Sequence, residues 1–131
     1  MVTASDCSVV AFSLSPGNAH DAPEGELLLD SVERLPEQIF ILMDKAYEGD
    51  KMRDKAVEKG FTPVVPPKQN RKEPWEYDKE RYKQRNEIER YFLRLKRFRK
   101  IFTRYDKLDI IFAGFIYFAM IADALISVNR L

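Results

Sequence analysis

Residues 38–43, QIFILM, form a continuous apolar run that stops at Asp44. A run of this kind fits a strand buried on both faces, the habit of α/β sheets. Its surroundings agree. Residues 2–4 and 8–14 are short β-rich runs flanking Ser5-Asp6-Cys7, a hairpin pattern. Ser15-Pro16-Gly17-Asn18 gathers turn formers. Asp21 then offers an N-cap, with Pro23 in the first turn and Glu24 three residues on. The helix so started carries Leu27, Leu28, Val32 and Leu35 inward and stops at Pro36. Asp50 caps a second helix that Gly60 closes, and residues 62–65 form a strand halted by Pro66-Pro67. Residues 68–75 read as a loop, Tyr77 to Arg104 as one long helix, and residues 107–129 as a last helix. The order predicts an α/β fold with a mixed sheet and helices, in one domain over residues 1–131.

The net charge of +1 conceals an uneven distribution. Residues 68–107 hold fifteen Lys or Arg against seven Asp or Glu, a surplus of eight positive charges. Residues 1–67 carry an excess of six negative charges. A basic face of this strength points to a polyanion, nucleic acid first. Cys7 is the only cysteine and His20 the only histidine. An intramolecular disulfide is therefore excluded, and a zinc cluster or a Ser-His-Asp arrangement is poorly supported. No charged n-region precedes the apolar residues of the amino terminus, so no signal peptide is read there. The apolar run 110–122, between Asp109 and Asp123, spans thirteen residues, short of the roughly 20 that cross a bilayer. It is expected to be a buried core helix in a cytoplasmic, nucleoid-associated protein with no membrane partner.

Within the expected long helix, Tyr82, Arg85, Glu89 and Lys96 are spaced three, four and seven apart. At about 100° per residue they fall within an arc of about 60°. A hydroxyl, a guanidinium, a carboxylate and an ammonium thus form one polar strip. A carboxylate can ligate a divalent metal, and cations meet phosphate oxygens. Ile88, Tyr91, Phe92, Leu95, Phe98 and Phe102 form the core stripe beside it, and Arg90, Arg94, Arg97 and Arg104 gather on its other side. Asp44 ends a buried strand, where ligands collect in open α/β sheets. Capping of the following turn is its plainer role.

At these residues the chain resembles the carboxyl-terminal part of bacterial insertion-sequence transposases of the DDE type, in the branch marked by a Tyr-x2-Arg-x3-Glu-x6-Lys helix. The motif falls on Tyr82, Arg85, Glu89 and Lys96. SPGNAHD at residues 15–21, DKAYEGD at 44–50, VVPPKQNR at 64–71 and TRYDK at 103–107 extend the resemblance in matching order. It implies an RNase H-like fold whose Asp, Asp and Glu bind two metals, Mg²⁺ or Mn²⁺. It also implies nicking at transposon ends followed by strand transfer into target DNA. Carried over, Asp44 matches the second Asp and Glu89 the final Glu, both metal ligands. Tyr82, Arg85 and Lys96 match positions that hold terminal nucleotides and phosphates. His20 and Asp21 match a phrase without an assigned role, read as a turn and helix cap.

The family's first Asp, on its first and central strand, has no match here. Asp6, in the hairpin turn, is a poor substitute. Loss of that strand is expected to leave unpaired edges inside the sheet. The expectation is therefore an amino-terminally truncated transposase, inactive alone, with a two-metal site only if the missing Asp is supplied. The alternative is a non-catalytic DNA-binding module or regulatory remnant, acting through the basic residues including Arg90, Arg94 and Arg97. Expected partners are transposon-end and target DNA, and a second copy or a full-length transposase.

Overall fold

A computed structural model describes residues 1–5, 8–33, 39–102, 104 and 107–129. Asp6, Leu35, Pro36 and Gln38, on which parts of the expectation rest, lie outside the described residues, as does the side chain of Phe102. The chain forms two compact units, Ser15–Arg85 and Met1–Leu14 with Asn86–Leu131. Helices and two short sheets make the fold mixed α/β. Instead of one mixed sheet, the described strands form two separate pairs, one antiparallel and one parallel.

The unit spanning Ser15–Arg85 is built on a strand-helix-strand crossover. Strand β3, Ile39–Leu42, pairs in parallel with β4, Phe61–Val64, in the register Ile39 to Phe61 through Leu42 to Val64. Met43 N–H continues the ladder to the Val64 carbonyl at 3.0 Å. Parallel strands cannot be joined by a tight turn. Helix α2, Asp50–Glu58, makes the crossover and packs on β4. Its last turn passes into β4 through Gly60, whose φ of 89° lies in the left-handed region open to glycine. Gly60 thus closes the helix as its sequence position suggests. Asp50, however, is the first helical residue, and Gly49 occupies the cap position.

Burial in β3 departs from the two-sided expectation. Ile39 and Phe40 are more than 40% exposed, whereas Met43 is buried. Among the described residues β3 has a paired strand on one side only, which leaves room for exposure along it. Pro63 in β4 cannot donate to a ladder, which suits a strand of few partners.

Helix α1, Asp21–Asp30, begins one residue earlier than the capping-box reading: His20 holds the cap position without a side-chain bond. Asp21 and Glu24 instead lie in the first turn, where the helix dipole favours acids. Leu28, Leu29 and Val32 are buried and Leu27 is exposed. The inward face therefore runs 25, 28, 29, 32, and Leu27 falls off it by about 100°. Gly25 sits on that face against the Tyr47 ring. Lysines of α2 hold α1: Lys51 pairs with Glu26 at 2.7 Å and Lys55 with Asp30 at 2.8 Å. The Lys55 hydrogen bond lowers the Asp30 carboxyl below its ordinary range. Lys59 Nζ donates to the carbonyls of Asp30 and Val32, both at 3.1 Å, where a helix end favours a cation.

In the other unit β1, Val2–Ser5, and β2, Ser8–Ala11, form the expected antiparallel pair, with two irregularities in register. Helix α4, Asn86–Leu95, packs on β1 and on α6, Asp109–Val128. Tyr91, Leu95 and Ala119 make the core, with Val9, Phe98 and Met120 against it. Phe92, expected in the core stripe, is 40% exposed. Phe12 meets Tyr117 edge to face at 4.8 Å.

Two helices differ from expectation. The long helix is broken into α3, Lys79–Tyr82, a 3₁₀ turn, Lys83–Arg85, then α4, and α5, Arg99–Phe102. A 3₁₀ turn advances about 120° per residue, so the phase of one α-helix is lost. Local contacts hold the break. Asp78 caps α3 by accepting from Arg81 N–H at 2.9 Å, and Tyr82 packs edge-on against Tyr77 at 5.5 Å. After Leu95, the N–H groups of Arg97 and Phe98 close i→i+3 bonds that end α4. The cations Lys96 and Arg97 sit at that end, as the dipole prefers.

Helix α6, in turn, is twenty residues long, and only Ile116, Ala119 and Asp123 along it are buried. Ile110, Tyr117, Phe118, Ile121, Leu125 and Val128 are exposed. The last helix stands close to its expected bounds, but the expected burial of the run 110–122 is corrected: much of it is exposed, and α6 is long and apolar enough to cross a membrane by length and composition. Beyond the run 110–122 it adds Asp109 at one end and residues 123–128, DALISV, at the other.

A Cβ on Gly25 would stand 2.6 Å from Tyr47 Cε1 and 2.8 Å from its Cδ1. Such overpacking costs about 1–3 kcal/mol, against a helix-propensity gain of about 1 kcal/mol. Gly25→Ala should therefore lower the urea midpoint, followed by the fluorescence of Trp75 in the same unit, with an unchanged m-value.

Candidate metal and DNA site

Asp44 lies just beyond β3, at the carboxyl end of the parallel pair. Its Oδ1 accepts from Ala46 N–H at 3.3 Å and caps the 3₁₀ turn Lys45–Tyr47. Its Oδ2 faces Arg85 Nη1 at 3.4 Å, and half of the side chain is open to solvent. The turn-capping role and an exposed, cation-seeking oxygen thus coexist in one carboxylate.

Arg85 ends the 3₁₀ turn after α3, with its guanidinium 5.7 Å from the centre of the Tyr82 ring. Burial raises the Tyr82 hydroxyl above its ordinary pKa; Arg85 opposes the shift and Asp44 adds to it. Tyr82, Arg85 and Asp44 therefore share one electrostatic neighbourhood. Arg81 stacks over Phe40 at 3.7 Å and holds the same segment to β3. Tyr47 adds a fourth group. Its hydroxyl is raised first by burial, then by Asp21 and Asp44. Asp21, from the phrase without an assigned role, is thus felt on the same side as Asp44.

The four-residue strip does not lie on one helix. Tyr82 and Arg85 belong to the Ser15–Arg85 unit, and Glu89 and Lys96 to the other. Glu89 is exposed in the first turn of α4, and Lys96 is exposed just past its end. Arg90 pairs with Glu87 at 2.5 Å on the surface. Arg97 is exposed. Arg94 Nε donates to both Asp123 oxygens, at 3.3 and 3.2 Å, with little of either side chain in solvent. Its guanidinium therefore ties α4 to α6.

Sequence reasoning assigned no role to a cluster behind β4. Glu48 is buried and accepts from Arg71 Nη1 at 2.9 Å, with Lys68 3.7 Å away. Arg71 also pairs with Asp50. Trp75 lies between Arg53 and Arg71, 3.7 and 4.6 Å from its ring centre, and its Nε1 donates to the Val65 carbonyl at 2.9 Å. The signal was present: Glu48 falls in DKAYEGD and Arg71 in VVPPKQNR. The cluster binds these two blocks together and fixes the loop between them.

Residues 1–122 match the family described as Transposase DDE domain. The chain belongs to this family of transposases. It is 30% identical over 106 residues to a putative transposase for insertion sequence element IS6501 of Brucella ovis, covering 80% of this chain and 79% of that one. No solved structure matches it. For a DDE transposase chain, the meeting of Asp44 with Tyr82 and Arg85 joins two separate sequence blocks at one strand end.

Tyr47 should titrate above its ordinary value of 10.0. Asp44→Asn removes one of the two charges that disfavour the phenolate, so the Tyr47 pKa should fall, as read by NMR of the ring carbons. Because the unfolded chain loses this proton first, stability should decline as pH rises through 10 toward the folded pKa.

Proposed function

We propose that this transposase chain acts in DNA transposition by metal-dependent cleavage and transfer of strands at transposon ends, through an RNase H-like catalytic domain. Asp44 and Glu89 serve as two of its metal-ligating carboxylates, and Tyr82, Arg85 and Lys96 hold the terminal nucleotides and phosphates. The observation that carries this reading is the neighbourhood of Asp44, Arg85 and Tyr82 beyond β3. The reaction would take place in the cytoplasm, at the nucleoid.

The residues present fit a hard divalent cation in kind. Asp44 offers a half-exposed carboxylate oxygen that already draws a cation, the Arg85 guanidinium. Oxygen donors of this type suit Mg²⁺ and Mn²⁺. Within either unit, no three ligating side chains gather among the described residues. Asp44 and Glu89 would hold the ion, which supplies Lewis acidity toward the attacking and leaving oxygens of a phosphodiester. The chain's own contribution is to position and neutralise phosphates with Arg85 and Lys96, and to lodge a terminal nucleotide beside Tyr82. Arg90 and Arg97 extend the cationic surface along the duplex, while Arg94 anchors α4 through Asp123.

The test is strand nicking of transposon-end DNA in Mg²⁺ or Mn²⁺. On this reading Asp44 and Glu89 are two of three carboxylates, and the first Asp of the set is unassigned. Each such group is worth several kcal/mol of barrier, and 1.36 kcal/mol is a factor of ten in rate. The chain alone should give no detectable nicking. Joined to a segment carrying that Asp and the end-binding region, it should nick, and Glu89→Gln should then abolish the activity. Robust Glu89-dependent cleavage by the 131 residues alone would show that another carboxylate, such as Asp21, completes the set.

A second reading, a DNA-binding module without chemistry, is favoured by the positive surplus of residues 68–107. Both readings predict duplex binding that weakens with salt. Replacing Arg90, Lys96 and Arg97 by Ala should reduce the slope of log affinity against log salt by up to about three. An unchanged slope would remove this face from the DNA site. Arg94→Ala should act on stability more than on slope, because the guanidinium is engaged by Asp123.

A further inference from the structure

The exposed residues of α6 are ordered along the helix. Ile111, Gly114, Phe118, Ile121, Leu125 and Val128 follow one another at alternating steps of three and four, and all are exposed. This is an unbroken repeat of 3.5 residues, the spacing of a seam that meets another helix knobs-into-holes. At about 100° per residue the seam lies roughly opposite the stripe of Ile116, Ala119 and Asp123. That stripe is the one α6 buries in its own unit, where Ala119 packs with Tyr91 and Leu95 of α4. Nothing in the unit accounts for Gly114: a Cβ there would meet nothing within 4 Å. Glycine disfavours a helix interior, so its cost here is not offset by packing inside the chain. It leaves a gap in the seam that a bulky group from outside can fill.

We propose that α6 pairs antiparallel with α6 of a second copy of this chain, about a two-fold axis at the level of residues 119 and 120. In this register Ile111 meets the partner's Val128, Phe118 the partner's Ile121, and Gly114 the partner's Leu125. The largest gap thus receives a leucine, and every layer repeats on the other side of the axis, as a self-complementary two-fold interface requires. Parallel pairing would set glycine against glycine and leave a void. The antiparallel order also places the positive amino end of each helix beside the negative carboxyl end of the other.

The chemistry of the face selects a second copy over other occupants. The positions flanking the seam are Ile110, Tyr117 and Ala124 on one side, and Phe115, Ala122 and Asn129 on the other. None is charged. Charges at such positions set partner choice in paired helices, and here there are none to repel an identical helix or to recruit a different one. Lipid is disfavoured by the opposite face. Asp123 is held by Arg94 of α4, and a spanning helix would carry that ion pair into hydrocarbon. Two helices about 30 Å long, meeting along one face, remove on the order of 1,000 Å² from water, the low end of specific interfaces. A reversible dimer is therefore expected. The pairing does not depend on the chemistry proposed for Asp44 and Glu89.

Sedimentation velocity of the full 131-residue chain over a wide concentration range tests the pairing. Wild type should pass from monomer to dimer. Phe118→Glu and Ile121→Lys each bury two unpaired charges in the dimer, and each alone should weaken association at least about tenfold. Mixed in equal amounts, the two variants should associate again, to within about tenfold of wild type. In the mixed dimer the introduced charges face each other in one layer, and the other layer keeps its Phe118 to Ile121 contact. A parallel pair would show no such rescue.

A wild type that stays monomeric throughout overturns the proposal, as does association unmoved by either charged variant, or a mixture without rescue. Flotation with phosphatidylcholine vesicles, without dimer formation, would assign the face to lipid and overturn it equally. Circular dichroism checks that each variant is folded. Should a charged variant unfold, Leu125→Ala, at an exposed position and with a good helix former, takes its place. It should weaken association at least about tenfold, and an unchanged dimer would overturn the pairing.

Discussion

The parallel pairing of β3 with β4 is the constraint on which the Ser15–Arg85 unit depends. Parallel strands need a crossover, and α2 supplies it. The crossover brings Lys51, Lys55 and Lys59 against α1, so that ion pairs and helix-end contacts fix one helix on the other. It also ends β3 where Asp44 must turn the chain. Capping the next turn uses one carboxylate oxygen and leaves the other outward. A structural requirement thus leaves an outward carboxylate oxygen at the strand end, and the same geometry that builds the unit builds the proposed site.

Charge in the two units is used in different ways. Around Trp75, Glu48 and Asp50 hold Arg71 and Lys68, and the loop after β4 is fixed by buried or stacked charges. Between α4 and α6, Arg94 and Asp123 form a partly buried pair beside Tyr91 and Leu95. Breaking such a pair leaves a charge with little solvent, so these residues hold structure. Lys96 and Arg97, exposed at the end of α4, carry no such burden, and a polyanion can meet them at small desolvation cost. Burial, more than residue type, separates the arginines that fold the chain from those proposed to meet DNA.

Much of this was legible in the sequence. The β1–β2 pair, the strand before Asp44, the crossover helix closed by Gly60, the loop after β4 and the last helix follow from apolar period and turn chemistry. The motif blocks by themselves resemble those of DDE transposases, and Asp44 stands out by its position after an apolar run. What local pattern determined was the identity and order of the elements.

Tertiary structure alone decided the rest, because it depends on contacts distant in sequence. The pattern of residues 77–104 reads as one helix, since each residue tolerates it; Asp78, Tyr77 and the Arg85–Asp44 pair impose the break. With the break, Tyr82, Arg85, Glu89 and Lys96 no longer lie on one helix, and Tyr82 and Arg85 stand in the neighbourhood of Asp44. Glu48 was hidden for the same reason: a lone Glu in a polar block shows nothing until Arg71, twenty-three residues on, meets it. The sequence by itself determined which chemical groups are present and which segments carry them. Only the folded chain decided which charges face one another, because electrostatic partnership is set by distance through space and by burial.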